Sequence, residues 1–542
     1  MRESYGLLPD KLDADLWNAQ RVAETLEERS LPISWLRDQL RVASEWDADQ
    51  VKIFVYMVLQ YWRGDLRVTD LANARRVAAL HADQLRHCAA LGWLRWDGRR
   101  WCSSSVAAMH YAKGIPQTWK QDAEVIRATV DLAESDIERQ MIWERASAAA
   151  KTGDKLESAA RLKAMVELAS TEPSVVIDVA DLDADPWLLN VLNGTIDLRT
   201  GNLYRHDRLD LITRLAPVPY MPSASHPVWE KFLEDSTGGD VELGAYLQRA
   251  TGCSLVGSNV DEVLFLLFGP GGSGKSTFVD AVRMALGDYS ATADFETFVK
   301  KSGGSGIRND IARLKGARIV TSIEVDEGKE LAEGLIKTIT GGDNVSARFL
   351  YKEFFEFVPS FTLWLVANHA PGFDADDDAM VRRIRVLPFP YGRDQAHRDP
   401  TVKATLKDPK AAGPAILAWM VDGCLSWQEN GLGTAGAVEA ASKDYRDEMD
   451  VVADFIADCC DVGPDCRVES ANLYMQYRSW AQQNGYVPIL TGTAFGRRLT
   501  KKHFSKTKVN GQRGWQGMRM KSVSSAASAW GRAALQAGIT GD

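Results

Sequence analysis

The sequence predicts an α/β fold: a nucleotide-loop core preceded by a mainly helical region and followed by a small separate domain. A continuous apolar run at 263–268 is typical of a strand buried on both faces. A glycine-rich segment at 269–276 follows it, and apolar residues then recur at helical spacing over 278–286. Two further apolar runs, 317–323 and 361–367, supply the next strands. Strand, glycine loop and helix in this order define the core.

The glycine-rich segment, GPGGSGKS, fits the phosphate-binding pattern G-x-x-x-x-G-K-[ST]. In such a loop, backbone N–H groups and the helix N-terminus cradle the phosphates, Lys275 reaches the β and γ oxygens, and Ser276 binds Mg²⁺. The sequence therefore predicts a site for ATP and Mg²⁺, although a glycine-rich turn without a ligand is the alternative. The predicted nucleotide contacts are Gly269, Gly271, Gly272, Ser273, Gly274, Lys275, Ser276 and Thr277.

Composition narrows the class of protein. The 542 residues are 45% apolar and 25% charged, which excludes wholesale disorder and allows several domains with their own cores. The net charge of −9 excludes a uniformly basic nucleic-acid coat, so any DNA contact must come from local patches. No apolar run approaches the roughly 20 residues that span a bilayer, and the N-terminus lacks a signal-peptide pattern. Seven cysteines without regular spacing suggest a reducing compartment, so we expect a cytoplasmic protein that does not engage membranes.

Turn signals divide the chain. Asp97-Gly98 and Asn193-Gly194 predict hairpins, Thr200-Gly201 predicts a turn, and four prolines between 217 and 227 mark a linker. From these signals and the apolar periodicity we expect an N-terminal helical region (1–75), a domain before the core (76–225), a helical linker (226–261), the P-loop core (262–400), a helical segment (401–448), a C-terminal domain (449–521) and a flexible tail (522–542).

Hydrolysis of a bound triphosphate needs an acid that supports the metal and an oriented water. The apolar run 317–323 leads directly into Glu324, and an acid at the end of a strand beside the P-loop strand suits that role. Glu324 is the first candidate for Mg²⁺ and water, with Asp326 and Glu327 as alternates. A solvated acidic turn is the other interpretation.

Two further polar groups complete the expected machinery. Asn368 ends the run 361–367, where its amide could hold the attacking water, although asparagine at a strand end is also a common turn former. The adjacent Arg382 and Arg383 precede a short apolar strand and suit an arginine finger given to a neighbouring subunit. Ion pairs with the acidic run 374–378 are the alternative for these arginines.

Between the second and third strands, Gly341-Gly342 closes a helix and an alternating stretch predicts a hairpin. Arg348 and Lys352, with nearby aromatic residues, could follow a single DNA strand by charge and stacking. A solvated hairpin without a ligand is the other interpretation.

In this order, the motifs resemble those of the phage and plasmid primase–helicase family with its poxvirus relatives, whose motor is a superfamily 3 viral-type AAA+ helicase. The resemblance rests on 188–190 with 197–201, the phosphate loop 269–276, Glu324 with Glu327-Gly328, 340–343 through Tyr351-Lys352, 364–369, and 382–385. It implies a P-loop AAA+ core that forms a ring, usually a hexamer, with ATP between subunits. It also implies a Lys352 hairpin lining a central pore and 3′ to 5′ movement on single-stranded DNA.

By the same resemblance, Lys275 and Ser276 bind nucleotide, Glu324 supports Mg²⁺ and hydrolysis, and Asn368 is the sensor. Arg382 or Arg383 acts across the subunit interface. Many relatives carry a primase–polymerase domain in front, but residues 1–180 show no D-x-D pattern on a strand. We therefore expect no primer synthesis from this chain and keep a separate primase or polymerase as a candidate partner.

The segment 449–521 predicts a winged helix, with helices at 452–460 and 470–484, a recognition helix at 493–502, and a hairpin turning at Asn510-Gly511. From 491 to 521 there are no acidic residues, which favours a grip on duplex DNA over a merely solvated basic face. A chain ending near Glu448 is then expected to lose duplex binding and keep ATP hydrolysis. The basic residues of this segment are Arg497, Arg498, Lys501, Lys502, Lys506, Lys508, Arg513, Arg519 and Lys521.

Three functions fit these features. The first is an ATP-driven, ring-forming DNA helicase for replication of a phage, prophage or plasmid, which the resemblance places in the cytoplasm of a bacterial host cell. The second is a DNA-binding initiator or loader ATPase without processive unwinding. The third is a small-molecule kinase, which ATP hydrolysis stimulated by single-stranded DNA would argue against.

Overall fold

The computed structural model describes residues 69–128, 130, 135–300, 309–323, 329–347, 355–392, 399–486 and 489–521. Over these ranges the chain is a mixed α/β protein with one parallel sheet and several small antiparallel sheets. The described residues divide into two compact units, 69–196 with 203–215 and 197–202 with 216–521. Most of the predicted region 1–75, residues 1–68, and the predicted tail 522–542 lie outside the described residues. Within the described ranges, no helix has the length and apolar character that crossing a membrane requires.

The first unit combines a helical group with a small antiparallel sheet. Apolar faces of its helices form a shared core around Trp119, Leu162 and Met165. The predicted hairpin is present: Trp96 faces Trp101 across the turn, and the Asp97 carboxylate accepts the N–H groups of Arg99 and Arg100. The elements are α1 (Asp70–His81), β1 (Leu85–Cys88), β2 (Gly92–Trp96), β3 (Trp101–Ser103), α2 (Ala107–Ala112), α3 (Ile115–Ala128), α4 (Asp136–Leu156) and α5 (Ala159–Ala169).

Three short strands follow where the chain passes between the two units. They are β4 (Leu188–Val191), β5 (Gly194–Asp197) and β6 (Asn202–Tyr204). The hairpin at Asn193-Gly194 and the turn at Thr200-Gly201 therefore lie where the sequence predicts them. Gly201 adopts φ +71°, a left-handed conformation that glycine accepts without strain.

The second unit contains the parallel sheet and the helices that cover it. Its elements up to the last strand of this sheet are α6 (Pro227–Thr237), α7 (Val241–Cys253), β7 (Leu264–Phe268), α8 (Lys275–Leu286), β8 (Ser290–Thr292), α9 (Asn309–Ala312), β9 (Ile319–Ile323), α10 (Glu333–Thr340), β10 (Val345–Ala347), β11 (Phe355–Phe357), β12 (Thr362–Ala367), α11 (Asp378–Val381) and β13 (Ile384–Pro388). Three helices come next: α12 (Pro400–Lys407), α13 (Gly413–Asn430) and α14 (Gly436–Glu448).

The strand order of the parallel sheet is β13-β7-β12-β9-β8. Every residue of β12 is buried, as expected for a central strand covered on both faces. The expectation that the Glu324 strand lies beside the P-loop strand is wrong, because β12 pairs with both β7 and β9 and separates them. Parallel strands are joined by crossovers that can skip a position, so the order along the chain did not give the order in the sheet.

The last domain packs three helices against a three-stranded antiparallel sheet. Its core is aromatic: Tyr477 stacks on Phe495 with ring centroids 4.4 Å apart, and Phe455 meets both rings edge-on. The predicted helices and hairpin are present, but β14 was not predicted; it pairs with β16. The elements are α15 (Val451–Cys459), β14 (Cys460–Glu469), α16 (Ser470–Gln483), α17 (Gly492–Lys501), β15 (Ser505–Val509) and β16 (Gln512–Met520).

Candidate nucleotide site and arginine edge

The glycine-rich loop joins the carboxyl end of β7 to the start of α8. Two of its glycines are required by geometry. Gly269 has φ +150°, and a Cβ there would lie 2.1 Å from the carbonyl oxygen of Phe389. Gly274 has φ +95°, and a Cβ there would meet the Phe232 ring and the Ser236 hydroxyl at 3.1 Å. The loop can follow this path only because side chains are absent at both positions.

The N-terminus of α8 is open to an anion. Its N-cap residue, Gly274, has no side chain to accept the free N–H groups of the first turn, whereas Asp240 and Asp450 perform that task for α7 and α15. Ser276, in the first turn, is exposed. Uncapped amides and the positive end of the helix dipole fit a phosphate group, and the Ser276 hydroxyl fits a magnesium ligand.

Lys275 lies beneath this loop and is only 4% exposed. Its ammonium donates to the carbonyl oxygens of Gly269 (2.6 Å) and Pro270 (2.9 Å). Burial lowers the pKa of Lys275 below its ordinary value. The ammonium also donates to the Ser273 hydroxyl at 3.4 Å. A buried cation held by these neutral groups gains from a negatively charged partner, so the residues fit a bound triphosphate.

Asn368 lies at the same edge of the sheet. It follows Ala367, which pairs with Phe268 of β7, so the parallel register places Asn368 level with Gly269. Its side chain is exposed. On the other side of β12, Val366 pairs with Ile323, the last residue of β9. The structure thus brings the phosphate loop, Asn368 and the end of β9 to one edge.

Several predicted residues lie outside the described parts of the chain: Glu324, Asp326 and Glu327, which follow β9, and Arg348 and Lys352. The base of the predicted hairpin is described, with β10 and β11 antiparallel and Ala347 facing Phe355. Roles for these five residues stay predictions.

Arg382 and Arg383 lie at the opposite edge of the sheet. They precede β13, and the N–H of Leu264, the first residue of β7, donates to the Arg383 carbonyl at 2.9 Å. Gly269 follows Leu264 by five residues of nearly extended chain, which places the loop roughly 17 Å away along the strand direction. These arginines are therefore remote from the phosphate loop of their own chain.

The two arginines differ sharply in environment. Arg383 is 6% exposed and donates to the Thr340 hydroxyl (2.9 Å), the Ala379 carbonyl (3.1 Å) and the Glu262 carboxylate (2.7 Å). The Arg382 side chain is 67% exposed, and its guanidinium lies 3.7 Å from Glu262. Among the described residues, both arginines therefore contact Glu262. The alternative considered above was an ion pair with the acidic run 374–378.

Three segments of the chain match known family models. Residues 74–238 match the family model "D5 N terminal like", and residues 447–531 match "Poxvirus D5 protein-like". These two matches support a relationship to the viral D5-like primase–helicase family. Residues 267–383, between them, match a family of unknown function (DUF5906).

Viral proteins supply further similarity. The chain is 28% identical over 336 residues to the candidate helicase L207/L206 of Acanthamoeba polyphaga mimivirus, an alignment covering 56% of this chain and 34% of that protein. It is 24% identical over 387 residues to the candidate helicase 022R of Frog virus 3 (isolate Goorha), covering 56% of this chain and 39% of that protein. The chain spans well under half the length of these two relatives.

Among solved structures, the apo C-terminal region of NrS-1 aligns with 66% of this chain and 90% of its own length, at 11% identity and a TM-score of 0.38.

Basic residues of the Poxvirus D5 protein-like segment fall into two groups. On α17, Arg498 is 12% exposed and pairs with Asp374 (2.7 Å) and Asp376 (3.3 Å). Lys501 donates to the Asp376 carbonyl, and Lys502 pairs with the Asp450 carboxylate. These three cations, predicted to contact DNA, are engaged within the chain.

The second group is turned to solvent on the hairpin of β15 and β16. Lys508 and Arg513 face each other directly across the two strands, and both are exposed. Like charges placed opposite one another destabilise a hairpin, so the pair favours a site for an anionic ligand. Lys506 lies over the Trp515 ring at 6.0 Å, and Arg497 on α17 is also exposed.

Sequence reasoning missed the partners that organise these sites. Glu262 precedes β7 with φ +54°, and Thr340 ends α10; nothing in their sequence context signals a role beside Arg383. Asp374 and Asp376 were noted only as part of an acidic run. Two signals for their pairing with Arg498 were available: a basic stretch without acids in the C-terminal domain, and an acidic turn in the core.

Proposed function

We propose that this chain is an ATP-driven DNA helicase that works as a ring, with ATP cleaved at the seam between neighbouring subunits. The observation that carries the proposal is that the phosphate loop and Arg382 lie at opposite edges of the sheet. One edge holds the phosphate loop with Asn368, and the other, roughly 17 Å away, presents the exposed Arg382. An arginine so placed can reach a triphosphate only on another subunit.

In this proposal the core is a P-loop AAA+ domain of superfamily 3. The loop amides and the Lys275 ammonium hold the β and γ phosphates, and Ser276 with Glu324 holds Mg²⁺, with Asp326 and Glu327 as alternates. Bound Mg·ATP supplies the phosphoanhydride whose cleavage drives movement. Asn368 orients the attacking water, and Arg382 of the neighbouring subunit balances the charge that develops on the γ-phosphate. Arg383 is the structural support of that edge.

DNA contacts come from two places. The hairpin based on β10 and β11 would carry Arg348 and Lys352 into a central pore, where charge and stacking follow one strand. The C-terminal domain would act as a winged helix on duplex DNA, through its exposed cations. We propose a hexamer moving 3′ to 5′, supplied with primers by a separate primase or polymerase.

The test combines turnover and unwinding by the purified full-length chain. We expect ATP hydrolysis stimulated by single-stranded DNA, and displacement of a labelled strand from a duplex with a 3′ tail but not a 5′ tail. Lys275→Ala should lose nucleotide binding, whereas Glu324→Gln should bind ATP and barely hydrolyse it. A chain that hydrolyses no ATP with DNA present would overturn the proposal.

The second candidate is an initiator or loader that switches state without processive unwinding. The exposed cations of the C-terminal hairpin are the observation in its favour. It predicts DNA-stimulated hydrolysis and duplex binding with no strand displacement at any protein concentration.

A further inference from the structure

The helix α17 grips the acidic turn at 374–378, which lies between β12 and β13 in the chain. The guanidinium of Arg498 contacts the Asp374 carboxylate at 2.7 Å and the Asp376 carboxylate at 3.3 Å. One turn later on α17, Lys501 donates to the Asp376 carbonyl oxygen. Because Arg498 is 12% exposed, this is a partly buried, charge-assisted contact rather than a solvated surface pair.

The same turn builds the short helix α11. The Asp377 carboxylate accepts the N–H groups of Ala379 (3.0 Å) and Met380 (3.4 Å), and it also pairs with Lys337 of α10. The Asp374 N–H donates to Glu333 of α10 at 3.0 Å. The acidic turn is thus fixed by α10 on one side and by α17 on the other, and it sets the start of α11.

Arg382 is the C-cap of α11, and its N–H donates to the Asp378 carbonyl at 3.1 Å. Its side chain has little support of its own, being 67% exposed with the Glu262 carboxylate 3.7 Å away. The next residue, Arg383, is anchored by three hydrogen bonds. The direction of the Arg382 side chain therefore depends on how the N-terminal end of the four-residue helix α11 is held. A shift of the acidic turn would be passed to Arg382 through one helical turn.

We propose that Arg498 is a positioning residue for ATP hydrolysis: by clamping the acidic turn, it aims Arg382 at the nucleotide of the neighbouring subunit. This inference rests on the proposed function. It removes Arg498 from the set of DNA-contacting residues, since a phosphate would have to displace two carboxylates to reach it. It also revises the expectation for a chain ending near Glu448, which should lose hydrolysis along with duplex binding because α17 is gone.

The test measures kcat and KM for ATP of the full-length chain with single-stranded DNA. Arg498→Ala should lower kcat roughly 10- to 100-fold, the cost of a misplaced catalytic group, with KM nearly unchanged since the phosphate loop is intact. Arg498→Lys should keep part of the rate. Arg478→Ala, an exposed arginine on α16 of the same domain, is the matched control and should leave both constants unchanged.

Mixed assemblies separate positioning from a general folding defect. Arg498→Ala subunits keep a sound phosphate loop, and Lys275→Ala subunits keep a well-aimed Arg382, so mixing the two should restore part of the turnover. Should Arg498→Ala fail to fold, the pair Asp374→Asn with Asp376→Asn removes the clamp from the other side and should give the same loss of kcat and the same rescue.

Failure of this inference is distinct from failure of the proposed function. A wild-type chain without ATP hydrolysis would defeat the proposed function. A wild-type chain that hydrolyses ATP, with a folded Arg498→Ala variant of unchanged kcat, would overturn the positioning role alone. A loss of kcat that mixing does not relieve would also overturn it, as would a loss of duplex affinity with turnover intact, which would return Arg498 to the DNA-binding surface.

Discussion

Arg383 and Glu262 form an ion pair of 2.7 Å at the sheet edge opposite the phosphate loop, and this pair separates two arginines that are adjacent in the chain. Arg383 donates hydrogen bonds to the Glu262 carboxylate, the Thr340 hydroxyl and a main-chain carbonyl. Arg382 keeps its guanidinium in solvent, 3.7 Å from the same acid. One arginine holds the edge together and the other is available to a neighbouring subunit.

This division predicts opposite effects of the two alanine variants. Arg383→Ala should lower the free energy of unfolding by about 3 kcal/mol, because it removes a buried guanidinium and its hydrogen bonds to the Thr340 hydroxyl, the Ala379 carbonyl and the Glu262 carboxylate. Arg382→Ala should leave the melting temperature unchanged and abolish DNA-stimulated hydrolysis. Thermal melting and ATPase assays check both; equal melting temperatures for the two variants would contradict the division.

The proposed action of Arg382 across a subunit seam predicts complementation between inactive chains. Arg382→Ala subunits retain the phosphate loop, and Lys275→Ala subunits retain the arginine, so a mixed ring contains seams in which both parts are sound. We expect mixing to restore a fraction of the wild-type turnover. The control is a mixture of Arg382→Ala with the double variant Lys275→Ala/Arg382→Ala, which has no sound seam and should stay inactive.

Burial of Lys275 predicts a pH dependence of nucleotide binding. Its pKa is lowered from 10.5, so the ammonium loses its proton at a lower pH than a free lysine does. Affinity for a fluorescent ATP analogue should fall as the pH approaches 10.5 from below, because only the charged form attracts phosphate. Lys275→Arg, whose guanidinium stays charged, is the control: whatever affinity it retains should not fall over that range.

The lowered pKa of Lys275 has the opposite effect on the stability of the fold, which it should increase as the pH rises. Between the lowered pKa and 10.5, the unfolded chain binds more protons at this position than the folded chain does. Without nucleotide, the Lys275 contribution to the free energy of unfolding should therefore rise with pH in that window. A comparison of wild type with Lys275→Met in thermal melts over this pH range isolates the Lys275 contribution.

The C-terminal hairpin predicts the salt dependence of duplex binding. Removing Lys508 and Arg513 together should reduce the slope of log affinity against log salt by about 1.8, since each phosphate neutralised contributes about 0.9. The melting temperature should not fall, because the substitution relieves like charges that face each other across the hairpin. An unchanged slope would place the duplex elsewhere on the chain.

The sequence predicted those parts of the fold that short contiguous segments determine. The phosphate loop, its flanking strand and helix, and the hairpin at Asn510-Gly511 each depend on contiguous residues with a known backbone preference. The strand β14 was missed because Gly463 and Pro464 interrupt Cys460–Glu469 in the manner of a turn, and its register shifts between Val462 and Arg467. Its pairing with β16 is a tertiary contact.

The candidate site shows the same limit. Motif order placed Lys275 and Asn368 in one function, and parallel register then brings them to one edge of the sheet. No local pattern could separate Arg382 from Arg383, because burial of one of them is decided by Glu262, distant in the chain. The pairing of Arg498 with Asp374 and Asp376 was not foreseen for a related reason, since charge composition counts cations without showing which are already paired.

The placement of the phosphate loop and Arg382 at opposite ends of β7 and β13 would have a genetic consequence. In the proposed ring, each chain gives its arginine to one companion and receives one from the next. A faulty copy would therefore spoil two junctions rather than one, and a defective gene expressed beside the wild type would be dominant.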